Sequence, residues 1–270
     1  MFDVLVNGHK TSDYNNIWVA NIPQIQSSET ERDRYTIPQR DGDMLSAYYR
    51  RTSAYIEVTF HALNILQNRR IIKSVFCNQI NEVLKTSITF PTISIINRVN
   101  GVDNYDSYYN IKNAVITEDE LRDGDYGRVT IQYEVEPFEY LRASTILQED
   151  IQKNTSGTRV FRDVSNAGDV CKPFIEFNKG SSDTIIVEIT VDNEKQINFT
   201  LNDDSTTVYC DSNLMFTYNS QGNKEPLFLT HNYDDLWLPN GVHEIDVYSN
   251  SFNASEDGEI TIDLREGYAI

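Results

Sequence analysis

The clearest alternation of apolar and polar positions in the chain runs from Tyr55 to Leu63. Ile56, Val58, Phe60 and Ala62 fall on one side, and Tyr55, Glu57, Thr59 and His61 on the other. Successive side chains of a strand leave opposite faces, so this pattern predicts a half-buried antiparallel strand. A hairpin precedes it. Residues 35–39 read as a strand, Arg40, Asp41, Gly42 and Asp43 as a tight turn, and residues 45–51 as the return. Asp-Gly supplies the positive φ angles of a type I′ turn. A helix follows over residues 64–85, where Ile65, Ile72, Phe76, Ile80 and Val83 recur at helical spacing.

The remaining pattern of the first half is strand-like. Residues 3–6 form a short strand closed by Asn7-Gly8, and residues 17–23 a second one stopped by Pro23. The polar run 24–33 predicts a loop. Residues 86–96 read as an edge or broken strand because Pro91 lies inside it, and residues 97–106 carry turn chemistry. A strand over 108–116 leads into an acidic hairpin tip at 117–125, where Arg-Asp-Gly-Asp recurs at 122–125. The longest strand, 126–138, puts Val129, Ile131, Tyr133 and Val135 on one face. Periodicity is lost over residues 140–159, which places a domain boundary there and predicts domains of 1–143 and 144–270.

Beyond the boundary, short strands are predicted at 173–177, 185–191, 197–201, 207–210, 214–218, 242–248 and 260–264. Polar turns separate them and no helix intervenes. Short, evenly spaced strands predict an antiparallel sandwich or barrel. The fold class is therefore mainly β, with one helix in the first domain.

A length of 270 residues with 39% hydrophobic and 24% charged side chains is ordinary for a soluble protein and suits two domains with their own cores. No apolar run approaches the ~20 residues of a membrane span, and Met1-Phe2-Asp3-Val4 lacks the basic and apolar regions of a secretory signal. Cys77, Cys171 and Cys210 are odd in number and widely spaced, as expected of reduced, buried thiols. The net charge of −18 is uneven. Residues 1–145 hold 15 Lys and Arg against 19 Asp and Glu, and residues 146–270 hold 8 against 22. Such a chain is a poor binder of phosphate backbones, so no sequence-specific nucleic acid is expected.

No catalytic constellation stands out. His9, His61, His231 and His243 share no metal-ligand spacing, and HExxH, GxSxG, P-loop and GxGxxG motifs are absent. Asp203/Asp204, Asp234/Asp235 and Glu118/Asp119/Glu120 sit in turn-like stretches, where solvation is the plainer reading than the paired chemistry of a glycosidase. Asp-Gly-Asp at 41–43 and 123–125 lacks the rest of a calcium loop. No catalytic residue, metal or cofactor is therefore expected.

Two groups remain as candidate surfaces. Arg69, Arg70 and Lys73 lie near the start of the helix, where the macrodipole favours acids. They are either a solvated helix face or, with Arg50 and Arg51, cations held for an acidic partner. Tyr209, Tyr218, Tyr233 and Trp237 are aromatics near turns. They could stack on sugar rings or a partner, although Trp237 as a plug of the sandwich core is the plainer reading. A strand-rich chain without a reactive centre but with Tyr and Arg to spare is most economically an assembly component.

The order of these pieces resembles the distal tail (Dit) family of long-tailed, siphovirus-type bacteriophages. The resemblance runs through Asn21-Ile22-Pro23, Ile37-Pro38-Gln39-Arg40-Asp41-Gly42-Asp43-Met44-Leu45, the alternating strand, the helix, and Tyr108-Tyr109-Asn110-Ile111-Lys112-Asn113-Ala114. In the second half it continues through Asn166-Ala167-Gly168, Pro173-Phe174-Ile175-Glu176-Phe177 and Leu238-Pro239-Asn240-Gly241-Val242-His243. Gln39 stands where the family often has Gly, and His243 near its usual Asn. The resemblance implies a β-sandwich-like ring domain followed by a galectin-like β-sandwich. It further implies a homohexameric ring at the virion tail tip, made in the host cytoplasm, that joins the major tail tube protein to the tail-associated and receptor-binding proteins. Under it, Arg40, Asp41, Gly42, Arg50, Arg51, Arg69, Arg70 and Lys73 are expected at ring or tube contacts.

A different class is a carbohydrate-binding or receptor-binding module that recognises host cell-wall glycan through Tyr209, Tyr233 and Trp237. A glycan-degrading enzyme is a third, for which only the loose acid pairs speak.

Overall fold

The computed structural model describes residues 2–36, 43–63, 65–87, 90–99, 102–122, 126–142, 145–151, 156–178, 185–201, 207–212, 216–219, 236–250 and 258–270. The chain divides into two compact units, Met1–Tyr140 with Ala269–Ile270, and Leu141–Tyr268.

The first unit holds β1 (Phe2–Val6), β2 (His9–Lys10), β3 (Ile17–Val19), β4 (Gln24–Gln26), β5 (Thr30–Thr36), β6 (Asp43–Arg51) and β7 (Ala54–Leu63). Helix α1 (Ile65–Lys73) continues through a π-helical turn, Ser74–Asn78, into α2 (Gln79–Thr86). Then come β8 (Thr92–Val99), β9 (Val102–Asn104), β10 (Ser107–Arg122), β11 (Tyr126–Val135) and β12 (Phe138–Leu141). The Asn7-Gly8 turn forms as its sequence predicts. Both residues have positive φ, and Val6 pairs with His9 across the turn.

The alternation of β7 is realised in full. Phe60, Val58, Ile56 and Ala54 stand opposite Val129, Ile131, Tyr133 and Val135 of β11, and all eight are buried. Opposed β-branched and aromatic pairs of this kind are the unit of sheet stabilisation. The helix closes this core with Ile72, Phe76, Cys77 and Ile80, and Val4 and Val6 of β1 join it. Tyr133 is fully buried, and its hydroxyl donates to the carbonyl of Phe76 at 2.8 Å. In the π turn the amide of Gln79 reaches back to Ser74; a local widening of this kind changes which carbonyls the helix satisfies internally.

The second unit holds β13 (Ile146–Ile151), β14 (Gly157–Cys171), β15 (Phe174–Asn178), β16 (Ile185–Val191), β17 (Lys195–Leu201), β18 (Thr207–Asp211), β19 (Phe216–Asn219), β20 (Leu238–Ser249), β21 (Gly258–Asp263) and β22 (Glu266–Ala269). Strands β17, β16, β20, β14 and β22 lie in that order in one sheet, and β13, β21, β15, β18 and β19 in the other; every pairing given within them is antiparallel. Val187, Ile189, Val191, Ile245 and Val247 from the first sheet share a core with Ile175, Phe177, Val208, Cys210, Ile260 and Ile262 from the second. Alternate residues of both sheets thus face each other, the arrangement of a β-sandwich.

Four stretches depart from the sequence reading. The run 24–33, expected as a loop, contains β4 and the start of β5. Strand β10 continues to Arg122 through the stretch expected as a hairpin tip. Residues 140–159, expected to be irregular, contain β13 and the start of β14, and β8 begins only at Thr92, after Pro91. In the first three the strand is polar or, for β13, mostly exposed, and its hydrogen bonds come from a partner: β7 for β4, β11 for the end of β10 and β21 for β13. Hydrophobic periodicity reports burial and is blind to such pairing.

Candidate interaction surfaces

Strands β5 and β6 pair with each other as a separate two-stranded sheet, with Glu31 opposite Arg50 and Thr30 opposite Arg51. The base of this hairpin is closed by the Thr52 amide donating to the Glu29 carbonyl at 2.8 Å and the Glu29 amide donating to Thr52 Oγ1 at 2.9 Å. The predicted turn residues Arg40, Asp41 and Gly42 lie outside the described residues. Arg51 is half-buried at the end of β6.

The cations of the helix have a partner inside the chain. Arg69 Nε and Lys73 Nζ both bond the carboxylate of Asp119 on β10. Arg69 and Lys73 are four residues apart and so share a helix face. The Arg69 guanidinium, with Lys73 beside it, holds the Asp119 carboxyl below its ordinary range. Arg70 points elsewhere and is exposed. Asp119 stands opposite Val129, and Val129 opposite Phe60. Phe60 is six residues along β7 from Ala54, about 20 Å at 3.3 Å per residue. Arg51 enters at the Ala54 end. Arg50 and Arg51 lie at the end of β6, and Arg69, Arg70 and Lys73 lie on α1, where Arg69 and Lys73 bond Asp119 of β10.

In the second unit, Tyr209 is half-buried on β18 and stacks on Phe174 of β15, with ring centroids 5.8 Å apart and planes 20° apart. The Arg265 guanidinium lies 4.4 Å from the centre of the Phe174 ring and bonds the buried carboxylate of Asp211 at 3.0 Å. Neither Phe174 nor Arg265 stands out in the sequence as a surface residue, although Phe174 lies in the Pro173-Phe174-Ile175-Glu176-Phe177 motif. The signal for Phe174 is the alternation along its strand, where Ile175 and Phe177 point inward and leave Phe174 outside.

Trp237 is half-buried and lies between Leu236 and Leu238, which enter the core. It is therefore not the plug of the sandwich core. Its indole N–H donates to the Ser212 carbonyl at 3.1 Å, and Lys172 Nζ sits 4.8 Å from its ring centre. A cation over an aromatic face satisfies the ring quadrupole, so this face is already used within the chain. Tyr233 lies outside the described residues. Tyr218 is opposite Tyr209 on β19.

Two of the motifs that carry the sequence resemblance meet in this unit. The Asn166 side-chain amide donates to the carbonyls of Leu238 and Pro239 at 2.9 and 3.0 Å, and its oxygen accepts from the Gly168 amide at 3.0 Å. Asn240 returns the contact, donating to the carbonyls of Ala167 and Gly168. His243 joins the same turn, with one ring nitrogen 2.9 Å from the Pro239 carbonyl and the other 2.8 Å from Asp192. A Cβ on Gly168 would fall 2.7 Å from the Gly267 carbonyl oxygen, so β14 and β22 approach too closely there for a side chain. These residues fix strand geometry, and their polar groups are spent on the backbone or, for one nitrogen of His243, on Asp192.

A pocket of about 290 Å³ opens in the first unit between apolar Phe2, Ile17, Trp18 and Val19, with Asp3 and Thr11 on its wall. Asp3 already accepts from the amides of Val4, Thr11 and Ser12, which leaves it a structural carboxylate. Burial pushes the Cys77, Cys171 and Cys210 thiols up, which disfavours the thiolate a nucleophile needs. Among the described residues no group of three or more His, Cys, Asp or Glu could hold a metal, and no helix is long and apolar enough to cross a membrane.

No family model and no curated protein matches the chain. Among solved structures, one of infectious bursal disease virus strain Gx is similar at 9% identity over 65% of this chain and 43% of that one, with a TM-score of 0.17. The Dit protein of phage SPP1, described as a paradigm of the hub adsorption apparatus in phages infecting Gram-positive bacteria, is similar over 99% of both chains, at 16% identity and a TM-score of 0.47.

Proposed function

We propose that this chain is a structural hub protein of a siphovirus-type phage tail. It forms a hexameric ring that joins the tail tube to the tail-associated and receptor-binding proteins, and it acts without catalysis. The observation that carries this reading is the β5–β6 hairpin. It is a two-stranded sheet that no third strand joins among the described residues, and the sequence resembling the Dit family's turn runs between its two strands in the chain. An isolated two-stranded sheet is marginal in water, and open strand edges invite pairing with another chain. Identical hairpins related by a rotation would remove each other's edges by closing a ring. The basic residues Arg40, Arg50 and Arg51 then belong to ring or tube contacts, and Arg70 to a second contact on the helix. The second unit serves as the platform for other tail proteins.

The test is mass photometry with negative-stain imaging of the full chain, alone and with its tail tube protein, over a range of concentration and salt. Sixfold rings with a central hole are expected. A strict monomer in every condition, tube protein included, overturns the reading.

A further inference from the structure

In the second unit, the sheet formed by β14, β16 and β20 has an outer face that nothing described so far uses. Val187, Ile189, Val191, Ile245, Val247 and Phe161 point into the core, so the residues alternating with them point outward. Register places Glu188, Tyr248 and Thr158 in one row across the three strands, and Thr190, Asp246 and Val160 in the next. Ile186 is 47% exposed, Val160 42% and Tyr248 37%. Three large apolar side chains on three adjoining strands form a patch rather than scattered exposure.

The charges on this face have one sign in excess. Glu188, Glu244 and Asp246 lie on it; Arg162 meets Glu244 at 3.8 Å. Oδ1 of Asp246 is buried and has no hydrogen-bond partner. Asp246 as a residue is only half-buried, and a cation brought to a carboxylate that lacks a donor inside the chain offsets the cost of withdrawing it from water. Residues 146–270 as a whole hold 8 Lys and Arg against 22 Asp and Glu, so the long-range field of this unit favours the same partner.

The geometry points to this face as the docking site for a cationic protein surface, one that sets an apolar side chain against Tyr248, Val160 and Ile186 and brings Arg or Lys to Asp246 and Glu188. This rests on the tail-hub reading, and it names the face and the chemistry of one partner. A second copy of this acidic unit is the wrong charge, and a neutral glycan, although its hydroxyls could donate to Asp246, gains nothing from the negative field.

The test is photocrosslinking in intact particles that carry the full chain with Tyr248→p-benzoyl-phenylalanine or, as an independent site, Val160→p-benzoyl-phenylalanine. Expected is one adduct to another virion protein, at a segment rich in Arg and Lys, that is lost when Asp246→Lys and Glu188→Lys are added. No adduct from either position, an adduct to another copy of this chain, or an adduct that survives the charge reversals overturns the proposal. Particles that lack the chain altogether would overturn the hub reading itself, a result read separately from the amount of chain they contain.

Discussion

The hydroxyl of Tyr133 and the carbonyl of Phe76 meet at 2.8 Å in the middle of the first unit's core. Tyr133 is completely buried, and burial holds its phenol protonated, well above the ordinary tyrosine range. Tyr133→Phe keeps the ring and deletes the donor. A buried acceptor left without a partner costs about 1–3 kcal/mol. Urea unfolding should show that loss with little change in slope, since the buried surface is unchanged. A variant within a few tenths of a kcal/mol of the parent would show that the π turn does not depend on this bond.

Residues whose role is burial were legible in the sequence. The opposed faces of β7 and β11, the helix that packs on them and the inward residues of β16 all follow from periodicity alone. Strands β4, β13 and the far end of β10 were not legible, because their polar side chains carry no period and their hydrogen bonds depend on a partner far along the chain. The candidate surfaces divide in the same way. That Arg69 and Lys73 share a helix face is a matter of spacing. That Asp119 claims them both is a tertiary fact, and in the sequence Asp119 belongs to an acidic run that reads as a solvated tip. Trp237 read as a core plug because one buried Trp per small sandwich is common, yet its flanking Leu236 and Leu238 take the core positions and leave it half-buried.

Asp119 gives the first unit an acid-sensitive contact. Its folded carboxyl is held below the ordinary value, by Arg69 first and by Lys73. A depressed acid contributes stability that is fully present above its unfolded value of about 4. That contribution is lost as pH falls through the lower folded value. The carboxylate is 26% exposed, so solvent screening limits the contribution to about 1 kcal/mol or less. Asp119→Asn should flatten the acid limb of the stability–pH curve and lower stability at pH 7 by that amount. An unchanged acid limb would show that the ion pairs contribute nothing.

Gly168 is expected to tolerate no side chain. The Cβ of Gly168→Ala would meet the Gly267 carbonyl at 2.7 Å, against backbone that cannot swing aside. Overpacking of this kind costs about 1–3 kcal/mol. Gly8→Ala is the contrast. Its Cβ meets nothing within 4 Å, and only its φ of +84° opposes the change, a cost of about 1 kcal/mol. Thermal melts of the two variants should rank in that order; the reverse order would mean that β14 and β22 separate easily.

Trp237→Ala separates the hub reading from a glycan-binding one. The indole bonds Ser212 and carries Lys172 on its face, so its loss should reduce stability. The expected cost is about 2 kcal/mol, below the 3–5 of a fully buried aromatic. On a glycan array the parent chain should show no binding that free sugar competes away. Specific, competable binding that vanishes in this variant while the fold survives would move the function to a cell-wall recognition module.

Charge reversal at the hairpin base is the sharpest genetic test of the ring. Arg50 and Arg51 stand opposite Glu31 and Thr30 in a sheet that no third strand joins among the described residues. Arg50→Glu with Arg51→Glu should spare both cores and leave the monomer's circular dichroism close to the parent's, with a small fall in melting point because an acid at 50 stands opposite Glu31. It should nevertheless abolish tail assembly, because a like-charge clash repeated at every subunit boundary of a closed ring is multiplied by the symmetry. Arg69→Glu would be a poorer probe: it places a second acid against Asp119 and damages the fold and any contact together. Arg70→Glu is the better reversal on the helix, since Arg70 is exposed and lies beside the Asp119 ion pairs without joining them. Normal tails from the Arg50 and Arg51 double variant would remove the hairpin base from the ring contact, and normal tails from Arg70→Glu would remove the helix.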